Sequence, residues 1–233
     1  MLSNCPHRKK EEKMKSDEDI YLDIQEKLNF EPGIHSELVT FAVHNGIVTV
    51  NGDVPSYAEK HFIKRAIRRV SGVKAVVDEV SVRPKPSYLP NDIQIAQSAV
   101  NILEWDATLP QDKIKISVEK GRVTLTGEVS WNYQRVQAER DIRYISGVVA
   151  IDNQLIIVPP TPIASEAEVH EKIKHEFERH ALLDAQKIQV EINDSTITLR
   201  GQVQSWAEAK EASQVAWSIP GVTQVNNLID IAL

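Results

Sequence analysis

The sequence predicts an α+β protein made of three tandem αββαβ modules, each a small three-stranded mixed sheet covered on one face by two helices. Three observations predict it. The first is self-similarity: a shift of 75 positions lays the first third of the 233 residues on the second, and a further 74 reveals a third copy. Leu28 falls on Leu103, and VTVNG from Val48 to Gly52 falls on VTLTG from Val123 to Gly127, then on ITLRG from Ile197 to Gly201. The second is a fixed glycine step: 20 residues separate Gly52 from Gly72, Gly127 from Gly147 and Gly201 from Gly221. The third is a change of apolar period inside each copy, from helical to alternating and back again.

The elements follow in order. A first helix places Ile20, Ile24 and Leu28 on one face, with Ile95, Ala99 and Leu103 in the second copy and Val169, Ile173 and Phe177 in the third. Phe30 and Trp105, at the end of that helix, are expected in the core. An alternating strand comes next (Val39, Phe41 and Val43 in copy one; Ile188, Val190 and Ile192 in copy three), then a two-residue turn. Asn45-Gly46 is a strong hairpin signal because both central positions need positive φ; Lys120-Gly121 is weaker and Asp194-Ser195 weaker still. The return strand ends at the first anchor glycine. A second helix buries Ile63, Ile67 and Val70 in copy one and Ala212, Ala216 and Ile219 in copy three. Gly72, Gly147 and Gly221 are expected to cap it, since a helix C-terminus favours glycine. A last strand alternates Val80 and Val82, Leu155 and Ile157, Ile229 and Ile231.

Module boundaries follow from the repeat. A leader, 1–15, is expected to be disordered; modules span 16–84, 91–158 and 166–233; proline-rich stretches at 85–90 and 159–165 act as short stiff linkers. Met14 is a candidate natural start. The single cysteine, Cys5, allows no internal disulfide, so folding does not require an oxidising compartment. No run approaches the ~20 apolar residues of a membrane-spanning helix, and the charged start lacks a signal-peptide core. A cytoplasmic location is expected, with peripheral membrane contact allowed. Net charge −6 and pI 5.7 argue against a general nucleic-acid binder, because the mean field repels phosphate.

In its V-T-[VL]-x-G strand, the 20-residue step to a Gly-Val pair and the closing alternating strand, the chain resembles the BON-domain family. It is similar to a three-BON subgroup without a signal peptide, related to the periplasmic osmotically inducible, OsmY-like proteins. The start at Met14-Lys15-Ser16-Asp17 and the Ser205–Glu208 stretch carry that likeness. The resemblance implies a module that binds phospholipid surfaces or other apolar ligands, transport-associated and linked to osmotic stress. It implies no catalytic residue and no cofactor.

Nothing in the residues suggests an enzyme. His170, His175 and His180 are five apart, whereas ligation from one helix face wants four, so a solvated helix is the plainer reading. Metal, cofactor-binding and catalytic residues are expected to be absent. Two features stand out. The second helix of copy one carries Lys60, Lys64, Arg65, Arg68 and Arg69 around its apolar stripe, a candidate contact for an anionic surface. The alternative is a solvated face paired with the acidic first helix (Asp17, Glu18, Asp19, Asp23, Glu26). The second feature is aromatic: Tyr57, Trp131 and Trp206 at the entry to the second helices, and Trp217 beside the buried Ala216. They line a groove or an interface between modules, or else act as packing staples. Two partners fit these features: a phospholipid or membrane surface, or a protein partner including a second copy of the chain.

Overall fold

The computed structural model of the chain describes residues 15–85, 89–179, 187–203 and 205–231. Most of the leader, with Cys5 and Met14, and also His180, lie outside the described residues. Module 1 comprises α1 (Asp17–Phe30), β1 (Val39–His44), β2 (Ile47–Val54), α2 (Tyr57–Ile67) and β3 (Ala75–Val82). Module 2 comprises α3 (Asp92–Trp105), β4 (Ile114–Glu119), β5 (Arg122–Val129), α4 (Asn132–Ile142) and β6 (Ala150–Ile157). Module 3 comprises α5 (Glu166–Arg179), β7 (Ile188–Asn193), β8 (Thr196–Val203), α6 (Trp206–Trp217) and β9 (Gln224–Ile231).

Each sheet places its second strand in the centre, antiparallel to the first and parallel to the last. The parallel pair is possible because the second helix carries the chain back across one face. The registers coincide: Val39 faces Gly52, Ile114 faces Gly127 and Ile188 faces Gly201. Each module has its own core. In module 1, Ile20, Ile24 and Leu28 of α1 meet Val48 and Val50 of β2 and Ile63 and Ile67 of α2, all essentially inaccessible. The helices start where the sequence supplies caps. Ser16 and Asp19 form a reciprocal capping box on α1, as do Asn91 and Gln94 on α3, while Ser56 and Ser205 cap α2 and α6.

The first residue of the first helix also locks the hairpin. Asp17 accepts the N–H groups of Asn45 (2.7 Å) and Gly46 (2.9 Å), and Asp92 does the same for Lys120 (2.7 Å) and Gly121 (2.9 Å). Those bonds hold the Asp17 carboxyl below the usual carboxylate range. Asn45 and Gly46 both take positive φ, as do Lys120 and Gly121; in the third hairpin Asp194 does so without Ser195. A two-residue turn with one positive φ is a different turn type, in keeping with the weaker signal there.

Three expectations need correction. Phe30 and Trp105 are not core residues: they are 80% and 87% exposed. Two residues beyond Leu28 or Leu103 is a rotation of roughly 200°, which turns the ring to the opposite face. Gly72, Gly147 and Gly221 do not cap the second helices. Those helices end on Arg68, Arg143 and Ser218 in right-handed conformation, and the glycines fall later, in the following turn. Their positive φ of 91, 85 and 90° lets that turn pass close to the start of the module, where a Cβ on Gly72 would meet Ile20 at 2.9 Å. The other anchor is stricter still. A Cβ on Gly52, Gly127 or Gly201 would collide with the carbonyl oxygen of Leu38, Lys113 or Lys187 respectively.

Candidate functional site

The second helix of module 1 follows its N-cap Ser56 and ends at Ile67, shorter than the sequence suggests: Arg68 is its C-cap and Arg69 and Val70 lie in the turn beyond, and the basic residues face two sides. Lys60 and Lys64 fold inward to β3. The Lys60 ammonium donates to the carbonyl of Val80 (2.6 Å) and lies 3.2 Å from Asp78, and Lys64 is 3.4 Å from the same carboxylate. Arg65, Arg68 and Arg69 are exposed. Among the described residues no carboxylate lies within ion-pair distance of these three. Arg65 instead lies over the Phe62 ring (5.3 Å) and Arg68 over the Trp206 ring (5.9 Å). Of the acidic first helix, Asp17 serves the hairpin and Asp23 meets Lys15, and neither turns to the basic helix. The partner of the two lysines is Asp78, on an element that offers no charge cluster in the sequence.

The aromatic candidates fall where modules meet. Tyr57, the first residue of α2, packs on the core of module 2. Phe62 of α2 stands 6.2 Å from Tyr144, just past α4. Trp206, the first residue of α6, donates its indole N–H to the carbonyl of Val73 in module 1 (2.6 Å). Trp217, the last residue of α6, packs on the cores of both module 3 and module 2. Trp131 is the N-cap of α4, half-buried, with its N–H donated to Gln134.

The electrostatics of this junction are distinctive. Burial, then the charges of Arg143, Arg65, Lys64 and Arg68, push the His61 imidazole down to about 4. Burial raises the Tyr57 phenol, with Glu139 of module 2 adding to the effect. Arg143 has only 12% of its side chain exposed; it donates to Glu139 at 3.2 Å, and its Nε has no partner. Nearby, Asp141 is raised to about 6 by burial and by the adjacent Asp106 carboxyl, while Thr108 holds Asp106 low. One proton is thus better kept than lost across that pair. Sequence reading missed His61, Tyr144 and Asp141; none has a motif around it.

One histidine meets a buried carboxylate. His35 Nδ1 lies 3.0 Å from the buried Glu59, which also accepts the His35 backbone N–H at 2.7 Å. In module 2 the same position is Gln134, which accepts from Ser130 and donates to the carbonyl of Thr108 (2.8 Å). An amide at the same position makes the same kind of bridge, so in both modules this side chain latches the loop ahead of the first strand. Among the described residues no group of His, Cys, Asp and Glu is placed to hold a metal ion, and no helix is long and apolar enough to cross a membrane.

The family model described as BON domain matches residues 16–84, 91–159 and 165–232. No curated protein matches the chain significantly. Among solved structures, two of CdsD, a structural protein of the type III secretion system of Chlamydia trachomatis, are similar at 18% identity. They cover 92% of this chain and 92% or 98% of their own, with a TM-score of 0.26. The PrgH periplasmic domain is similar at 12% identity, covering 83% of this chain and 95% of that one, with a TM-score of 0.22. Scores this low equate neither the packing of modules nor any role. The three family matches run nearly end to end, and the chain belongs to the BON domain family.

Proposed function

We propose that the chain is a non-catalytic binding protein whose modules recognise an anionic phospholipid surface. The observation that carries this reading is the division of the basic helix: Asp78 takes Lys60 and Lys64, whereas Arg65, Arg68 and Arg69 are exposed with no carboxylate beside them. Aromatic rings flank two of these guanidiniums, a composition suited to the boundary of lipid and water. Each basic residue near an anionic surface contributes about 1 kcal/mol, so three give roughly 100-fold in partitioning. The net charge of −6 opposes this, which makes the association weak and sensitive to salt. The stress-associated role implied by the resemblance belongs to this proposal, as does a cytoplasmic location. The test is flotation with phosphatidylglycerol and phosphatidylcholine vesicles at low salt. Association with the first, lost on reversing the three arginines, supports the reading; no association of the wild-type chain refutes it.

A second reading, a protein-interaction scaffold or homo-oligomer, is favoured by a separate observation. Among the described residues Phe30 and Trp105 are the most exposed aromatic side chains, and they occupy the same place in modules 1 and 2. Phe30 also borders a shallow depression with Leu22, Gln25, Glu26 and Asn29. Light scattering at high concentration tests self-association: an oligomer that Trp105→Ser dissolves supports it, and a monomer removes it.

A further inference from the structure

The contacts between modules use repeat-equivalent positions, and they run in one direction. Tyr57 opens α2, Asn132 opens α4 and Trp206 opens α6; these three are the same repeat position, related by the shifts of 75 and 74. Arg68, Arg143 and Trp217 are likewise equivalent in the repeat and lie at the ends of the same three helices, the first two as C-caps and Trp217 as the last helical residue.

At the contact of modules 1 and 2, the start of α2 meets the end of α4. Tyr57 packs on module 2 and feels Glu139 and Arg143, while Phe62 faces Tyr144. At the contact of modules 3 and 1, the start of α6 meets the end of α2, where Trp206 lies on Arg68 and bonds to Val73. At the contact of modules 2 and 3, the end of α6 meets module 2 through Trp217.

Module 1 thus presents its helix start to module 2 and module 3 presents its own to module 1, and the end of α6 returns to module 2. A head-to-tail contact repeated three times closes when the rotation permits, as in a cyclic trimer. The residue types complement one another as well. Two junctions pair an aromatic with an arginine from these positions, Tyr57 with Arg143 and Trp206 with Arg68; at the third, Trp217 stands at the arginine's position and packs on module 2, where Asn132 holds the position equivalent to Tyr57.

We propose that the second-helix face is a self-recognition surface whose partner is another module of the same kind, and that one chain closes as an intramolecular cyclic trimer. The closed ring occupies all three helix starts and all three helix ends. This surface is therefore not offered to a second chain; it shares Arg68 with the proposed lipid contact, since Arg68 carries the Trp206 ring at the junction of modules 3 and 1.

The experiment nicks the linker. A protease site inserted between Pro160 and Thr161 is cut in the folded, purified chain, and the products are run on a sizing column at micromolar concentration. The inference predicts that module 3 co-elutes with modules 1 and 2 at the size of the intact chain. It also predicts that Trp217→Arg releases it, and that adding Asn132→Tyr, which rebuilds the Tyr57–Arg143 pairing at that junction, restores co-elution. Separation of the pieces after nicking the chain that carries no further substitution, with each piece keeping its circular dichroism, overturns the ring, and a double variant that stays apart overturns the equivalence of the junctions. If a nicked piece unfolds, the intact chain decides. Hydrogen exchange at the Trp206 indole N–H, assigned with Trp206→Phe, must be far slower than at the exposed Trp105 indole. Equal exchange at the two overturns the proposal.

Discussion

The indole Nε1 of Trp206 donates to the carbonyl oxygen of Val73 at 2.6 Å, across 133 positions of sequence. Val73 belongs to the core of module 1, so this bond fixes the third module to the first rather than to its chain neighbour. Trp206→Phe keeps most of the ring and removes the donor, at a cost of about 1 kcal/mol; Trp206→Ala also removes the ring over Arg68 and costs about 2–3 kcal/mol. Both should raise protease sensitivity in the linker around 159–165 without lowering strand content by circular dichroism. A melting temperature equal to wild type for Trp206→Ala would contradict the contact.

Acidification should weaken the junction of modules 1 and 2. His61 is held at about 4 against an ordinary 6.5, so the folded chain binds fewer protons there than the unfolded one. The stability it contributes is full above 6.5 and is lost progressively as pH falls to about 4. Lys64, Arg65 and Arg68 on its own helix and Arg143 across the junction oppose its protonation, while Asp78 and Glu139 partly neutralise Lys64 and Arg143. His61→Phe should flatten the melting-temperature profile between pH 6.5 and 4; an unchanged slope refutes this.

Asp141 acts with the opposite sign. Its pKa is raised from 3.8 to about 6, so its protonated form suits the fold, and stability is lost as pH rises through that window. Asp141→Asn should therefore stabilise module 2 at pH 7.5, by on the order of 1 kcal/mol after solvent screening, and do little at pH 4. Equal effects at both values would show that the pairing with Asp106 is not the cause.

The anchor glycines predict a sharp contrast. Gly127→Ala places a methyl against the Lys113 carbonyl at a φ of 121°, a change expected to cost more than ~3 kcal/mol and unfold module 2. Gly33→Ala, whose new Cβ meets only the Phe62 side chain at 3.3 Å, should cost less than ~1 kcal/mol. Thermal melts of the two variants distinguish the positions.

Much of the fold was legible because three copies repeat the same apolar phase: Ile20, Ile24 and Leu28 identify the buried face of α1, and the parallel positions repeat it twice. The same phase, carried two residues further, would have turned Phe30 and Trp105 outward; aromatic character pointed the wrong way. The second glycines were legible as special and illegible in role, since the helix ends without them and what they make room for is the start of their own module, Ile20 for Gly72, Pro90 and Ile95 for Gly147 and Ile163 for Gly221, far away in sequence. Lys60 and Lys64 could not be separated from Arg65, Arg68 and Arg69 by composition, because their partner Asp78 lies on β3. Tyr57, Trp206 and Trp217 could be singled out one by one. Which module each one touches depends on how the modules turn on their linkers, and no periodicity encodes that.

Small-angle X-ray scattering of the intact chain tests the closed arrangement most directly. A folded single body of this length has a radius of gyration of roughly 18 Å. The ring predicts a value near that for the wild-type chain, rising in a Trp206→Ala, Trp217→Ala double variant whose modules remain folded. A wild-type value above roughly 25 Å, that of modules strung out on extended linkers, would contradict it.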